Sequence, residues 1–483
     1  MTILERICRH AKNRPDKPAV IFEDSIITYG ELWEDACRFA KVLSDLGVRQ
    51  GDRVIVQAFY SKWFIAACFG CHLANAVFVP AEKNSNTTMI RGLYEGVDAA
   101  LFIGLFRALE CNTLLYAEME QKISAAAPEW DGEFPSEDRI ADLMFTTGTT
   151  GVPKGVMVSY KNIVQTVLTR IAEINVRENN VAITLIPLNH VAPMRELYLN
   201  GYVGGSVILL DGITKMKKMF AMMDEYNVTS MYLPPANISI LQQMSKERLR
   251  TFSDRIDYVY TGSAPMQEAQ QEYMRTMLPN SRLYFSYGSS ENGTVCLLRY
   301  DRDQKDIRCV GRPCVGVDVK LLADDNTEAK TGQLGVVSIK SEMNMPGYWN
   351  REDLNKEVFQ NGYFISNDVG FFDDSGFLYI TGRKDDIINI GGLKVYPSEI
   401  ENAALSVPGI QDCVCFSVPD RITGQAAKLL IQTGDEFVGD LRTIHDELAH
   451  LLDGYKIPKV IEFVDSIKRT SNGKVDRKFY QNS

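Results

Sequence analysis

The sequence predicts an α/β fold, with a large N-terminal domain of stacked, mainly parallel sheets covered by helices and a smaller α+β domain after it. Strand-like and helix-like segments alternate through residues 1–380, and this alternation is typical of parallel sheets. The length of 483 residues is more than one hydrophobic core usually supports. Short strands with Gly, Asp and Asn turns dominate about 315–380, which predicts a small β-subdomain within the first domain.

Each element is predicted from its local pattern. Apolar residues at helical spacing predict a helix over 29–46, which Gly47 ends. The charge-free run 63–81 contains a histidine, an asparagine and a proline, so a buried helix and the strand 76–80 explain it better than a membrane span. Further helices are predicted at 161–176, 215–226, 265–277, 399–405 and 441–452. Further strands are predicted at 52–57, 206–210, 230–233, 257–260, 283–286, 317–322, 335–339, 363–365, 377–380, 410–418, 427–433 and 460–464.

A charged stretch at 383–386 is hard to pack and predicts the joint between two domains. The first domain is then 1–383 and the second is 384–483, which is a common size for a domain. The sequence contains no internal repeat and no low-complexity segment, so neither domain is expected to be a repeat array.

Composition excludes some classes of function. Lys and Arg total 52 against 62 Asp and Glu, a net charge of −10, which argues against nucleic acid as a partner but not against a nucleotide. Ten scattered cysteines and early charges at the N-terminus predict reduced thiols, no signal peptide and a cytoplasmic location. A monomer or a homodimer is expected. The five histidines have no metal-ligand spacing, and Cys68 and Cys71 lie in an apolar run that predicts core packing.

A Gly/Thr loop at 146–155 is the strongest local signal in the chain. It reads Thr-Thr-Gly-Thr-Thr-Gly-Val-Pro-Lys-Gly and follows the buried strand pattern of 141–145. Glycines let backbone N–H groups approach phosphate oxygens, and Lys154 adds a mobile positive charge. The Walker pattern differs, because it ends in Gly-Lys-Ser/Thr. Such a loop by itself is more often a simple turn, so its meaning depends on the rest of the chain.

Four further motifs accompany this loop in a fixed order. They are Tyr-Gly-Ser-Ser-Glu at 287–291, Asn-Asp at 367–368 in a predicted turn, Tyr-Ile-Thr-Gly-Arg at 379–383, and Arg-Thr-Ser-Asn-Gly-Lys-Val-Asp-Arg at 469–477. Together they resemble the adenylate-forming superfamily, which contains acyl-CoA synthetases, adenylation domains of peptide synthetases and beetle luciferases. The resemblance runs from 27–32 to Lys474 and so covers nearly the whole chain.

The resemblance implies that the chain joins a carboxylic acid to AMP by using ATP and Mg²⁺, with release of pyrophosphate. It implies that Glu291 holds Mg²⁺ and that Lys154, His190, Glu291 and Lys474 are the catalytic residues. Lys474 would bridge the α-phosphate and the attacking carboxylate. The implied ATP and AMP contacts are Thr146, Thr147, Gly148, Thr149, Thr150, Gly151, Lys154, Gly262, Ser263, Ala264, Tyr287, Gly288, Ser290, Glu291, Asp368, Arg383 and Lys474.

The resemblance also assigns parts of the nucleotide. Tyr287 would stack on adenine, and backbone groups of the turn 261–265 would hold the edge of the base. Asp368 would accept hydrogen bonds from the ribose hydroxyls, with help from Arg383. Two positions depart from the family, since Ser290 replaces the usual Thr and Phe285 stands where relatives often carry Asn or Gln.

A second half-reaction would pass the acyl group to a thiol. In the family the small C-terminal domain is mobile and rotates between the two steps, and Asp385 matches the hinge position. Gly391 and Gly392 match a segment that lines the channel for pantetheine. The same residues also fit a plain Gly-Gly turn before a helix capped at Ser398, and the two interpretations are compatible.

The acid itself is less defined. His190 matches the carboxylate gate of acyl- and aryl-CoA synthetases, and the Phe-Asp pair of amino-acid-activating relatives is absent, so an aryl or aliphatic acid without an amino group is expected. Arg195 could face a second carboxylate, although a solvated or ion-paired helix arginine is the simpler interpretation.

The acceptor is expected to be coenzyme A, with the phosphopantetheine of an acyl carrier protein as the alternative. Two further hypotheses concern the activity as a whole. One is a luciferase-like oxygenation that follows adenylation, and the second is a nucleotide-binding protein without catalytic activity.

Overall fold

A computed structural model describes residues 1–108, 110–146, 154–245, 247–325, 327–434, 437–469 and 475–481, with backbone only at Thr146, Thr214 and Lys478. The chain forms two compact units. The first comprises residues 1–307, 311–318 and 340–364, and the second comprises 308–310, 319–339 and 365–483. The strands of the predicted β-subdomain are thus divided between the units. The predicted boundary after residue 383 rests on sequence motifs and stays a prediction.

The helices and strands of the N-terminal half alternate as predicted. Up to residue 203 they are α1 (Ile3–Asn13), β1 (Pro18–Ile21), β2 (Ile26–Thr28), α2 (Tyr29–Asp45), β3 (Arg53–Gln57), α3 (Lys62–Leu73), β4 (Val77–Ala81), α4 (Thr87–Gly96), β5 (Ala99–Gly104), β6 (Thr113–Leu115), α5 (Tyr116–Ala125), β7 (Ile140–Thr146), β8 (Lys154–Ser159), α6 (Tyr160–Ile174), β9 (Val181–Thr184) and α7 (Val191–Val203). They continue as β10 (Ser206–Leu209), α8 (Met216–Glu225), β11 (Ser230–Tyr232), α9 (Pro235–Met244), β12 (Tyr258–Gly262), α10 (Glu268–Met277), β13 (Arg282–Ser289) and β14 (Gly293–Arg299).

The C-terminal part is richer in strands. Its elements are β15 (Cys309–Pro313), β16 (Val317–Leu322), β17 (Gly335–Ser341), α11 (Glu352–Val358), β18 (Phe359–Gln360), β19 (Tyr363–Phe372), β20 (Leu378–Arg383), β21 (Ile388–Ile390), β22 (Leu393–Val395), α12 (Pro397–Leu405), β23 (Ile410–Asp420), β24 (Gly424–Thr433), α13 (Leu441–Leu451), β25 (Val460–Phe463) and α14 (Arg477–Gln481).

Two sheets organise the first unit. One has the order β6-β5-β3-β4-β7-β8 and is parallel except for the antiparallel pair β7–β8. The other runs β14-β13-β12-β11-β9-β10-β1-β2, parallel from β13 to β1 and antiparallel at both ends. Ligands usually bind at the carboxyl ends of strands in such sheets, which is where β12 and β13 carry predicted site residues.

A shared core joins these two sheets through the helices between them. Phe78 of β4 and Leu209 of β10 belong to the same buried cluster, which also takes in side chains of α2, α3, α6 and α7. Helix α3 is apolar on every side, and its residues from Phe64 to Leu73 are all buried. A helix that is hydrophobic all round belongs in a core, so the charge-free run of the sequence is explained without a membrane. Among the described residues no helix is long and apolar enough to cross a membrane.

One buried polar cluster lies within this core. Asp142 Oδ1 lies 2.8 Å from Nε2 of His72, and Tyr198 donates a hydrogen bond of 2.7 Å to Asp142 Oδ2. Cys68 lies 3.6 Å from the Tyr198 hydroxyl. The three metal-ligating atoms of Cys68, His72 and Asp142 lie within 4.8 Å of one another, which sequence spacing did not reveal. The hydrogen bonds satisfy the buried carboxylate, as a buried charge requires.

The second unit contains two antiparallel groups of strands. Strands β19 and β20 pair directly, with Asp368 opposite Arg383. A five-stranded sheet has the order β22-β21-β24-β23, with β25 parallel to β24. Helices α12 and α13 cover it with residues such as Ile400 and Leu448. This part has the α+β character that the sequence predicts.

The α/β class is confirmed, and several element boundaries are corrected. The strand predicted over 283–286 extends to Ser289, because the hairpin with β14 continues past a bulge at Tyr287/Gly288. The helix predicted from 265 begins at Glu268. Asp368 lies inside β19 and not in a turn. Helix α12 is capped by Tyr396 with Pro397 in its first turn, so Ser398 is not its N-cap.

The ten cysteines form no disulfide. Eight of them are buried, while Cys8 and Cys111 are half-buried. Burial is the main cause of the raised thiol pKa values, for example about 12 at Cys37. Such thiols are poor nucleophiles at neutral pH.

Candidate functional site

The ends of the predicted phosphate loop are held by a strand pair. In the β7–β8 ladder Thr146 lies opposite Lys154, and Phe145 lies opposite Gly155. Thr146 and Lys154, which flank the loop, are therefore neighbours at one end of this strand pair. Of the predicted contacts, Thr147, Gly148, Thr149, Thr150 and Gly151 lie outside the described residues, and Thr146 is described by its backbone alone.

Lys154 meets a second segment of the chain at the start of β8. The segment around Tyr348 runs antiparallel to β8, with Trp349 N donating to Gly155 O at 2.8 Å and Met157 N donating to Gly347 O at 3.1 Å. The Lys154 ammonium lies 5.3 Å from the centre of the Tyr348 ring, within the range of a cation–π contact. The backbone pairing thus fixes where this lysine can act.

Glu291 also contacts Tyr348, through the hydroxyl group of this tyrosine. It lies in the turn between β13 and β14, and its Oε1 accepts a 2.8 Å hydrogen bond from the Tyr348 hydroxyl. Its backbone N–H donates to Ser289 Oγ at 3.1 Å, and its carbonyl accepts from Met345 N at 2.7 Å. No described residue donates to its second carboxylate oxygen. A half-buried carboxylate with one oxygen available is a suitable ligand for Mg²⁺, which prefers oxygen donors.

Two glycines keep the carboxyl ends of β12 and β13 open. A Cβ on Gly288 would lie 1.9 Å from the carbonyl oxygen of Gly293, and one on Gly262 would lie 2.4 Å from Ser286 Oγ. Real side chains cannot approach so closely, so both positions require glycine. Ser263 follows with φ of 76°, and its hydroxyl lies 3.0 Å from the Tyr232 hydroxyl. These adjacent strand ends, here called the cradle, lie where ligands usually bind in such sheets.

The other predicted base contacts lie along the same two strands. Tyr287 is half-buried in β13, opposite Cys296, and Ala264 is half-buried just beyond β12. Phe285 is buried, with 7 % of its surface exposed, so it offers no side-chain hydrogen bond at the cradle. That backbone groups hold the edge of a base stays a prediction.

In the second unit, Asp368 and Arg383 face each other across β19 and β20. Arg383 Nε lies 3.8 Å from Asp368 Oδ1. Asp368 N donates to Ser366 Oγ at 3.1 Å. A strand holds a side chain more firmly than a turn does. The location of Asp368 in β19, and not in the predicted turn, therefore favours a carboxylate with a fixed position. Both side chains keep substantial exposure, 28 % for Asp368 and 44 % for Arg383.

The predicted hinge follows directly. Asp385 lies in the single 3₁₀ turn Lys384–Asp386, and it accepts a hydrogen bond from Nδ2 of Asn367. Gly391 and Gly392 form the turn between β21 and β22, with φ of 61° and 92°. A Cβ on Gly392 would meet no atom within 4 Å, so this glycine is required by its backbone conformation and not by crowding. Lys474 lies outside the described residues.

His190 and Arg195 both belong to the start of α7. His190 is the N-cap residue of this helix and is half-buried. Arg195 Nη2 donates to the carbonyl oxygens of Ser289 and Ser290, at 2.9 Å and 3.4 Å. The guanidinium therefore touches the backbone of the hairpin turn that carries Glu291. Burial lowers the pKa of Arg195, and nearby Tyr260 and Tyr232 partly offset this.

A narrow interior cavity leads from Ser290 and Arg195 towards the core. Its volume is about 30 Å³, which is room for one or two water molecules. Most of its wall is apolar. Its polar lining consists of Asp142, Asn162, Thr166, Arg170, Arg195, Tyr198 and Ser290.

Sequence reasoning missed the residues that support Glu291. Tyr348 has no motif that ties it to a carboxylate 57 positions away. Asn292 donates to Asn344 Oδ1 at 3.0 Å, and Asn162 of α6 donates to the carbonyl of Asn344 at 2.9 Å. These contacts join segments that are distant in the chain, so only the three-dimensional structure reveals them.

Comparisons with known proteins agree along the whole chain. The family model described as AMP-binding enzyme matches residues 7–349, and the model of the AMP-binding enzyme C-terminal domain matches residues 399–474. Among curated relatives, a feruloyl-CoA synthase from Amycolatopsis sp is 27% identical, over 97% of this chain and 96% of its own length. The fatty acid–[acyl-carrier-protein] ligase ScoC from Streptomyces coeruleorubidus is 26% identical, over 99% of this chain and 95% of its own. The o-succinylbenzoate coenzyme A synthetase MenE from Bacillus subtilis, solved with ATP and a magnesium ion, has a TM-score of 0.87 at 23% identity, with 98% of each chain covered.

Proposed function

The chain belongs to the AMP-binding enzyme family, as its motifs predicted, and from this premise we propose that it is an AMP-forming acid–thiol ligase. It activates a carboxylic acid with ATP and passes the acyl group to the thiol of coenzyme A. The observation that carries this proposal is the meeting of Lys154 and Glu291 at Tyr348, which brings the end of the Gly/Thr loop next to a candidate Mg²⁺ ligand. A positive charge and a cation ligand side by side fit a polyphosphate.

The first half-reaction depends on the stabilisation of negative charge more than on covalent catalysis. An oxygen of the acid's carboxylate forms a bond to the α-phosphorus of ATP, while the bond from that phosphorus to the pyrophosphate oxygen breaks. Two negatively charged groups must approach each other in this step, so preorganised positive charge lowers the barrier. We assign that role to Lys154 and Lys474. Mg²⁺, held by Glu291, would neutralise phosphate charge.

The nucleotide would be held by two groups of residues. The cradle of Gly262, Ser263 and Gly288 fits the base and the α-phosphate, because a side chain at either glycine would collide with the neighbouring strand. Asp368 fits the ribose, because an exposed carboxylate fixed in a strand can accept two hydroxyl hydrogen bonds. Arg383 lies close enough to keep that carboxylate oriented.

In the second half-reaction the thiolate sulfur attacks the acyl carbonyl carbon, and AMP leaves with the electron pair of the broken carbon–oxygen bond. Coenzyme A is the proposed acceptor. The phosphopantetheine arm of a carrier protein is the alternative acceptor. This alternative is supported by the similarity to a relative that is named as an acyl-carrier-protein ligase. Gly391 and Gly392 are proposed to line the thiol channel, since their turn has space around Gly392.

The acid is proposed to lack an amino group. His190 at the start of α7 would stand at the carboxylate, with the cavity beside Arg195 and Ser290 leading away from it. We propose the cytoplasm as its location, because ten unpaired thiols suit a reducing compartment.

A pyrophosphate-release assay over a panel of aryl and aliphatic acids tests the adenylation step. We expect ATP- and Mg²⁺-dependent release with at least one acid, and thioester formation detected by mass spectrometry when coenzyme A is added. A parallel reaction with a phosphopantetheinylated carrier protein decides the acceptor. If thioester forms on the carrier protein and not on coenzyme A, the carrier protein is the acceptor. If no acid causes release of pyrophosphate, the ligase assignment is refuted.

A further inference from the structure

Arg195 is a half-buried cation without an ion-pair partner among the described residues. Its Nη2 donates only to two backbone carbonyls, those of Ser289 and Ser290. Carbonyl oxygens are neutral, so they satisfy hydrogen bonds without balancing charge. A guanidinium shielded from water normally pairs with a carboxylate or phosphate, because an uncompensated buried charge is costly. Arg195 therefore forms no ion pair among the described residues, and its half-buried position leaves it only partly solvated.

The carboxylates near Arg195 are already engaged. Glu196 forms an ion pair with Arg170 inside the same core, and both side chains are almost fully buried, at 3 % and 4 % exposure. Asp142, on the cavity wall, is paired with His72 and Tyr198. Glu291 accepts from Tyr348 and forms no salt bridge with Arg195. The Glu291 carboxylate attracts the guanidinium and partly offsets the lowering of the Arg195 pKa, but within the part of the chain that the structure describes no anion contacts Arg195 directly.

The position of Arg195 relates this charge to the acid. It lies five residues after His190, in the second turn of α7, and its guanidinium contacts the hairpin turn next to Glu291. Val191, Met194, Met343 and Met345 line the same cavity. The space beside the Arg195 guanidinium is thus mainly apolar and, at about 30 Å³, takes one small group such as a carboxylate. Guanidinium groups bind planar carboxylates through two parallel hydrogen bonds.

We propose that the acid activated by this enzyme is a dicarboxylic acid, whose second carboxylate pairs with Arg195 while the first is adenylated. The inference rests on the proposed ligase function and adds the substrate class. The second carboxylate supplies the negative charge that the site lacks. An acid with one carboxyl group would leave the half-buried Arg195 without a contacting anion, and would bind less well for that reason.

Matched acid pairs test the inference without any mutation. ATP–pyrophosphate exchange is measured with succinate against butanoate, glutarate against pentanoate, adipate against hexanoate, and isophthalate against benzoate. We expect the best dicarboxylic acid to exceed its matched monocarboxylic acid by about 100-fold in kcat/KM, the usual scale for a shielded charge pair. Preference for the monocarboxylic member in every pair would overturn the inference while leaving the ligase function intact. Exchange with no acid at all would refute the ligase function, and the inference with it.

Variants then assign the preference to one residue. Arg195→Gln should reduce kcat/KM for the dicarboxylic acid by about 100-fold, mainly through KM, and reduce its advantage over the matched monocarboxylic acid. Arg195→Lys keeps the charge without the planar fork and should fall between the two. Arg302→Gln, at an exposed guanidinium paired with Asp303, is the control and should keep the preference. An equal loss for both acids in Arg195→Gln, or an increased KM for ATP alone, would show that Arg195 serves the nucleotide or the fold instead.

Discussion

Single side chains decide how the nucleotide site is charged, and Glu291 is the clearest case. One of its oxygens is occupied by the Tyr348 hydroxyl, and no described residue donates to the other. A neutral hydroxyl orients the carboxylate without neutralising it. The second oxygen is therefore available to bind a cation. A lysine or arginine in the place of Tyr348 would instead have formed an ion pair with this carboxylate.

Removal of this carboxylate should change the metal requirement. We expect Glu291→Ala to need about 10-fold more Mg²⁺ for half-maximal pyrophosphate release, because a hard oxygen ligand is lost. Tyr348→Phe removes only the orienting hydrogen bond and should cost about 2- to 10-fold in rate at saturating Mg²⁺. A Mg²⁺ titration of the three proteins measures both effects. Superimposable titrations for wild type and Glu291→Ala would refute the metal role.

Asp368 should act on the sugar and not on the metal. We expect Asp368→Ala to raise the KM for ATP and to weaken discrimination against 2′-deoxy-ATP, because the ribose hydroxyls lose their acceptor. The Mg²⁺ dependence should stay that of the wild type. Kinetics with ATP and 2′-deoxy-ATP separate these effects. If the two nucleotides keep their original ratio of kcat/KM in the variant, the ribose contact does not exist.

Gly288 shows how a backbone position can be fixed by sterics. A methyl group there would lie 1.9 Å from the Gly293 carbonyl oxygen across the β13–β14 hairpin. We expect Gly288→Ala to destabilise the protein by about 1–3 kcal/mol and to impair pyrophosphate release, because the hairpin must shift. Gly92→Ala is the control, since nothing lies within 4 Å of its Cβ, and alanine in helix α4 should stabilise by about 0.5–1 kcal/mol. Thermal unfolding and activity of both variants check this, and equal melting temperatures would contradict it.

At the scale of elements, the segment after β20 connects the ribose contact with the predicted hinge. Asp385 accepts a hydrogen bond from Asn367, the neighbour of Asp368, so the turn is tied to the strand that carries the proposed ribose contact. A hinge is a short segment that absorbs a change in backbone dihedrals. The single 3₁₀ turn Lys384–Asp386 is of this kind.

A proline in this turn should separate the two half-reactions. Proline fixes φ near −65° and stiffens the backbone, so we expect Asp385→Pro to keep most pyrophosphate release while thioester formation falls by about 100-fold or more. Asp385→Ala removes the hydrogen bond to Asn367 without fixing φ, and it should retain thioester formation. Release of pyrophosphate and yield of thioester are measured on the same samples. Parallel loss of both products in the proline variant would indicate local unfolding, and full retention of both would place the hinge elsewhere.

Local patterns predicted the elements well and their ends less well. Helix α2 begins and ends within one residue of the prediction because a capping box at Thr28 and Glu31 starts it and Gly47 follows it. Strand β13 runs past the predicted end because its last residues pair with β14 through a bulge, which no local signal shows. The turn expected at Asp368 was wrong for the same reason, since pairing with β20 overrides the turn preference of Asn-Asp.

Across the whole molecule, the family followed from the order of the motifs and the fold class from the alternation of strand and helix patterns. The residues that support the site could not be predicted in this way. The contacts of Tyr348, Asn344 and Arg195 join segments far apart in sequence, and each of these residues alone has an ordinary role. A single sequence does not show which residue a polar side chain contacts in the folded protein. The charge balance around Arg195, on which the substrate class depends, therefore required the structure.

The two proposed half-reactions should depend on Lys474 to different degrees. We expect Lys474→Ala to reduce adenylate formation by about 10²–10³-fold, because a positive charge at the transferring phosphoryl group is lost. The same variant should still convert chemically prepared acyl-adenylate into thioester, since no phosphate charge is rearranged in that step. Near-normal pyrophosphate release would show that another residue supplies the charge.

The burial of the cysteines has a practical consequence for observing motion. Thiol-reactive dyes attack exposed thiolates, so eight of the ten native cysteines should stay unlabelled in the folded protein. Serine in place of Cys8 and Cys111 would remove the remaining background. New cysteines at Val315, which is 69% exposed in the first unit, and Val438, which is 91% exposed in the second, would then carry a donor and an acceptor dye. The native cysteines would therefore add little unwanted labelling in energy-transfer measurements. Such measurements on single molecules would record a rotation of one unit during catalysis.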